Sequence, residues 1–178
     1  MTIKKQAKVH GIIQLHQPFI ACLFDKKNFK EKAKPQFNDL SLIAHLIHNL
    51  YSNKDKSSDI KIMLLEIVEY LNKVAEELNT LKTIIDDQFN KLSEINKLPI
   101  HPLLNFDCEI TWDNQIYTTI VSFLKQADQV AIKINILKDR NIITSKDYYK
   151  YLKEGTRPIR GLFIFIAKQV KKSNDILS

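Results

Sequence analysis

With 178 residues, 44% of them hydrophobic and only three glycines, the chain is long enough for one real core, holds one domain with an appendage, and should be mainly α. Two cysteines, Cys22 and Cys108, exclude a disulfide framework, nothing resembles a secretory leader, and the apolar run near Ile12 is broken by Gln14, His16, Gln17 and Pro18, which excludes a membrane span; a cytoplasmic chain is expected. The net charge of +7 is uneven, with eight lysines against two acids in residues 1–34, seven against ten in 35–100 and twelve basic against eight acidic residues in 101–178, as in a polyanion-binding head on an acidic spine.

In chain order, Lys8 to His16 alternates with period two. Val9, Gly11, Ile13 and Leu15 point one way; Lys8, His10, Ile12, Gln14 and His16 point the other, the pattern of a half-buried strand. Its ladder groups need a partner, either a second strand of this chain, with Asp107 to Trp112 as the candidate, or a second copy of itself in a dimer. Pro18 opens a short helix through Phe24, and Lys26 to Pro35 is a basic loop. A second helix starts near Asn38 or Asp39 with Leu42, Ile43, Leu46, Ile47, Leu50 and Tyr51 on a broad apolar face, and Ser52 to Ser58 is a polar turn.

Ser58 to Asn96 carries the most regular pattern. Ile60, Leu64, Ile67, Leu71, Val74, Leu78, Leu81, Ile85, Leu92 and Ile95 alternate in steps of four and three, with Gln88 as the one polar break. This heptad predicts a helix of roughly 55 to 60 Å, capped near Ser58 and Asp59 and stopped before Pro99 and Pro102. The spine of a monomeric bundle and a coiled-coil seam between chains fit it equally well. Asp113 or Asn114 should cap the next helix, which runs to about Lys138 with Ile116, Ile120, Phe123, Ala127, Val130, Ile134 and Leu137 inward. Ser145 should cap a third helix ended by Gly155, and Arg157-Pro158 should restart a last one through Leu162, Phe163, Ile166 and Val170, frayed from Ser173.

Strand, short helix and second helix behind a basic N-terminus is the order of the ribbon-helix-helix fold. Collinear fragments carry a further likeness: Ile13-Gln14-Leu15-His16, Leu23-Phe24, Leu42, His45, Leu50-Tyr51, Asp59, Leu64-Leu65-Glu66-Ile67, Trp112-Asp113, Gly155-Thr156-Arg157, Arg160 and Phe163. On these the sequence resembles the AcaB-like proteins of integrating conjugative elements and conjugative plasmids, regarded as ribbon-helix-helix-type regulators. The loop between the two short helices is longer than a minimal unit has, it lacks the usual turn glycine, and Pro158 follows Arg157 where the family continues helically.

The resemblance implies residues 1–56 as a DNA-binding and dimerisation region and 57–178 as a helical region. Two copies of Val9 to His16 would pair antiparallel and enter the major groove. Gln14 is then the best base reader, followed by His16 and His10, with Ile12 toward thymine methyls; Lys8, Lys26, Lys27, Lys30, Lys32, Lys34, Arg157 and Arg160 would meet phosphates. The implied function is sequence-specific DNA-binding transcription regulation in conjugation, as a homodimer on double-stranded DNA. The alternative is a helical adaptor offering the 58–96 seam to another protein. His45 and His48 lie one turn apart but read as solvated residues rather than a metal pair, and Cys108 with Asp107, Glu109 and His101 gives no nucleophile motif. No catalytic residue, metal or cofactor is expected.

Overall fold

The computed structural model describes residues 11–25, 39–55, 57–110 and 114–177. It is mainly helical with one two-stranded sheet: β1 (Gly11–Leu15), α1 (Pro18–Phe24), α2 (Leu40–Asn53), α3 (Ser58–Phe89), a 3₁₀ turn (Glu94–Lys97), β2 (Phe106–Ile110), α4 (Gln115–Asp139) and α5 (Ser145–Leu177). The helix starts are set by side chains that satisfy the orphan amides of the first turn, at the expected Asp39 and Asn114 and, for α3, at Ser57 rather than Ser58. Asp39 accepts from Leu42 N at 3.0 Å, Ser57 from Asp59 N at 3.1 Å and Asn114 from Tyr117 N at 2.8 Å. For α5 the cap is Thr144 rather than Ser145: its Oγ1 accepts from Asp147 N and donates to Asp147 Oδ2, a reciprocal arrangement that closes the helix entrance. Asn141, at φ 55°, ends α4 in the left-handed region, and Ile142 N reaches back to Leu137 O at 2.9 Å.

The strand finds its partner inside the chain. β1 and β2 run antiparallel with Gly11 opposite Ile110, Ile13 opposite Cys108 and Leu15 opposite Phe106. The expected pairing of two copies of Val9 to His16 is thereby overturned. β2 reaches the β1 edge across the connection of residues 90–105 that follows α3, and α1 packs against both α4 and β2. Lys8, Val9 and His10 lie outside the described residues.

Three helices form the body. α3 packs on α4 and α5, α4 packs on α5, α2 lies against α5, and α1 lies against α4 and β2. The heptad seam turns inward: Ile60, Ile67, Leu71, Val74, Leu78, Leu81 and Ile85 are buried, and Met63 joins them. One cluster holds Leu15, Ile20, Leu23, Leu40, Ile43 and Ile47 together with Ile67, Val74, Tyr117, Ile120, Leu162 and Phe163, so residues of both 1–56 and 57–178 share a core. The seam is therefore the spine of a bundle within one chain.

Two helix boundaries differ from the sequence reading. α3 stops at Phe89 and not near Asn96, because the second core cluster (Leu81, Ile85, Val130, Ile134, Leu137, Ile143) lies at that end. Turning at Asn90 folds Leu92 back on this cluster, while a straight helix would carry it past α4. Arg140 holds the returning chain, donating from Nε to Asn96 O at 3.3 Å and from Nη2 to Leu98 O at 3.4 Å. α5 runs unbroken through Gly155 and Pro158 to Leu177, and Ser173 is 4% exposed rather than frayed. Its glycines serve close approach: a Cβ on Gly155 would stand 3.4 Å from Leu81 Cδ2, and one on Gly161 would stand 2.8 Å from the Tyr70 hydroxyl, a ring stacked on Phe165.

Asp86 ties α3 to α4. Burial alone would raise its carboxyl, yet hydrogen bonds from Lys133 and Lys82 and their charges hold it below the usual carboxylate range. A depressed folded pKa stabilises fully above the unfolded value near 3.8, and the contribution is lost as pH falls through the folded value. Asp86→Asn should thus be about 1 to 2 kcal/mol less stable than the parent near neutral pH. In urea titrations that gap should close as the pH is lowered below the ordinary carboxylate range; a gap that persists in acid would show that the charge is not its source.

Candidate nucleic-acid interface

The ribbon keeps the two faces its alternation required. Leu15 is buried and Ile13 half-buried, while Ile12, at 63% exposure, and Gln14 face solvent. What stands beside them on β2 was not read from the sequence: Ile12 is opposite Glu109 and Gln14 opposite Asp107, and Gln14 Nε2 donates to Asp107 Oδ1 at 3.2 Å. The outer face is half acidic, so it offers two exposed apolar or amide groups and two carboxylates.

His16 is not on that face. Its backbone N–H donates to both oxygens of Asp128 at 2.9 and 3.0 Å, Gln17 N donates to Asp128 Oδ1 at 2.8 Å, and the ring meets Oδ2 through Nδ1 at 2.9 Å. With two backbone N–H groups already donating to this carboxylate, the matching tautomer carries its proton on Nδ1. Asp128 is 2% exposed and sits in the inward sector of α4 between Ala127 and Val130. Gln17 continues the network, its Oε1 accepting from Asn135 Nδ2 at 3.1 Å. His16, Gln17 and Asn135, with Asp128 buried behind them, form one wall of an open cleft of about 300 Å³ that Pro99, His101, Pro102 and Tyr148 also line. Burial, then Tyr149 and Asp139 nearby, pushes the Tyr148 phenol above its ordinary value.

Of the expected phosphate contacts, Arg157 and Arg160 are exposed on α5. His10, Lys8, Lys26, Lys27, Lys30, Lys32 and Lys34 lie outside the described residues. His45 and His48 are exposed on α2, and among the described residues no cluster of three or more His, Cys, Asp or Glu is placed to hold a metal. Cys22 and Cys108 are 1% and 2% exposed; burial, with Asp39 adding to it, raises the Cys22 thiol, and Cys108 Sγ donates to Phe106 O at 3.6 Å. No helix among the described residues is long and apolar enough to cross a membrane.

No family model matches the sequence, and no curated protein matches it. Among solved structures, selenomethionine-containing AcaB from uropathogenic E. coli is similar, with 16% identity and a TM-score of 0.66 over 93% of this chain and 81% of that one. At that identity the likeness is one of fold alone.

Proposed function

We propose that the chain is a DNA-binding transcriptional regulator associated with a conjugative or integrative element, acting in the cytoplasm as a homodimer and without catalysis, metal or cofactor. The observation that carries this is the AcaB-like fold over nearly the whole chain, which meets the family that collinear sequence fragments resemble. The net charge of +7 agrees with it, since lysine and arginine supply the sequence-independent part of binding to a polyanion. Base reading is assigned to Gln14 and Ile12, with affinity carried by the cations. Asp107 and Glu109 limit how the ribbon meets DNA, because a carboxylate accepts a hydrogen bond from the cytosine amino group and repels phosphate. The dimer is assigned to a surface other than the β1 edge that β2 occupies. The adaptor alternative has less support, because the seam from Ile60 to Ile85 is buried against α4 and α5, leaving Ile95 as its exposed end.

The test is binding of a fluorescein-labelled duplex of about 30 base pairs, with sites selected from a random pool. Affinity should fall about a hundredfold or more between 50 and 200 mM salt. Gln14→Ala should flatten the preference among sites and Lys30→Ala should weaken all of them alike. No binding at low salt, or binding indifferent to salt, would remove the reading.

A further inference from the structure

Because α5 is continuous, cations that the sequence reading split between two helices fall on one face. Lys146, Lys150, Lys153, Arg157, Arg160, Lys168 and Lys171 follow one another in steps of three and four, except for one position held by Ile164, and all seven are exposed. At 3.6 residues per turn they occupy an arc of roughly 80°, and at 1.5 Å per residue they extend over about 38 Å. Base pairs of duplex DNA repeat about every 3.4 Å along the axis, so the row is as long as about 11 base pairs, one turn, and over that length it meets phosphates where each of the two strands crosses its line. Acids lie at its margins: Glu154 is 4.0 Å from Lys150, Glu77 faces Lys150 and Arg157 across a groove to α3, Asp147 is engaged with Thr144, and Asp175 is at the far end.

We infer that this face of α5, from Lys146 to Lys171, is the surface that lies against the phosphate backbone of duplex nucleic acid. The inference rests on the nucleic-acid reading above and places the main source of affinity on the C-terminal helix rather than on the N-terminal lysines. An anionic membrane fits the face less well. The apolar side of α5 (Ile159, Leu162, Phe163, Ile166, Val170) is buried in the core, leaving Ile164 as the one large aliphatic side chain within the row to enter a bilayer.

The experiment compares two full-length variants of equal net charge on a labelled 30-base-pair duplex of arbitrary sequence and on phosphatidylserine vesicles. One replaces Lys153, Arg157, Arg160 and Lys168 by Gln; the other replaces Lys61, Lys73, Lys91 and Lys125, exposed on other faces. The first should bind duplex at least tenfold more weakly at low salt, and its slope of log affinity against log salt should be shallower by about 3 to 4; the second should stay within about threefold of the parent. All eight positions are at the surface, and matching melting curves show that both variants are folded. Equal losses in the two variants, or an unchanged affinity in the first while the parent binds tightly, would overturn the inference and leave the DNA-binding reading standing. A parent that binds no duplex overturns both, and stripe-dependent binding to vesicles alone transfers the surface to lipid and overturns the inference.

Discussion

Asp128→Ala should be the most damaging single substitution outside the apolar core, costing about 3 to 5 kcal/mol and lowering the melting temperature by about 6 to 20 °C. The carboxylate is 2% exposed and collects three N–H groups, two of them backbone amides at the junction between β1 and α1. α1 opens with Gln17 at its N-cap and no side-chain cap of its own, so Asp128 anchors this entrance from across the core. Truncation to Ala leaves those amides without an acceptor, and each such group costs about 1 to 3 kcal/mol. Two further variants separate the backbone anchor from the charge. Asp128→Asn keeps Oδ1, the atom both amides reach, and His16 Nδ1 can accept from the new amide group by changing tautomer, but the His16 N–H loses its second acceptor Oδ2, so the loss should be about 1 to 2 kcal/mol. His16→Ala removes only the ring contact and should cost no more than that. Thermal or urea unfolding of the three variants gives the order; an Asn variant as unstable as the Ala variant would show that the charge, not the anchoring of residues 16 and 17, holds the junction.

Much of this architecture is written in local pattern. The heptad of α3 and the four-three spacing of α4 gave the buried faces because each is a property of one helix, and Asp39 and Asn114 were readable as caps because a cap and its first turn are adjacent in sequence. The strand at Gly11–Leu15 was equally legible from its alternation. Its partner was not: β2 is nearly a hundred residues away, and the same alternation suits a strand from this chain or from another copy. Asp128 escaped for the same reason. Its one local signal is an acid inside an apolar sector of α4, and its partners His16 and Gln17 are more than a hundred residues earlier. The candidate interface divides likewise. Alternation alone puts Gln14 and Ile12 on the exposed face, where the structure has them, but the carboxylates opposite them depend on the register with β2. Arg157 and Arg160 stand out locally, whereas the row they belong to depends on α5 running through Gly155 and Pro158, where local signals favour a break.

That break is the basis of the second large effect: Pro158→Ala should stabilise the protein by about 2 kcal/mol, raising the melting temperature by about 4 to 8 °C. Proline inside a helix removes the N–H that would bond the carbonyl four residues earlier, here Glu154, and costs about 3 kcal/mol relative to alanine. Its neighbours Gly155 and Arg157 add signals that locally favour an end. The helix nevertheless continues, because Ile159, Leu162, Phe163, Ile166 and Val170 on one side of it are buried, and a chain that turned away at Pro158 would withdraw that whole row from α2, α3 and α4. Pro158 itself lines the groove between α3 and α5 with Leu81, Ile84 and Tyr151, so alanine forfeits about 1 kcal/mol of apolar contact there and the net gain is smaller than the propensity difference. Thermal unfolding of the single variant measures the balance. A loss of stability would mean that the ring's packing in this groove outweighs the missing hydrogen bond, and that α5 holds its course at Pro158 because of the proline rather than in spite of it.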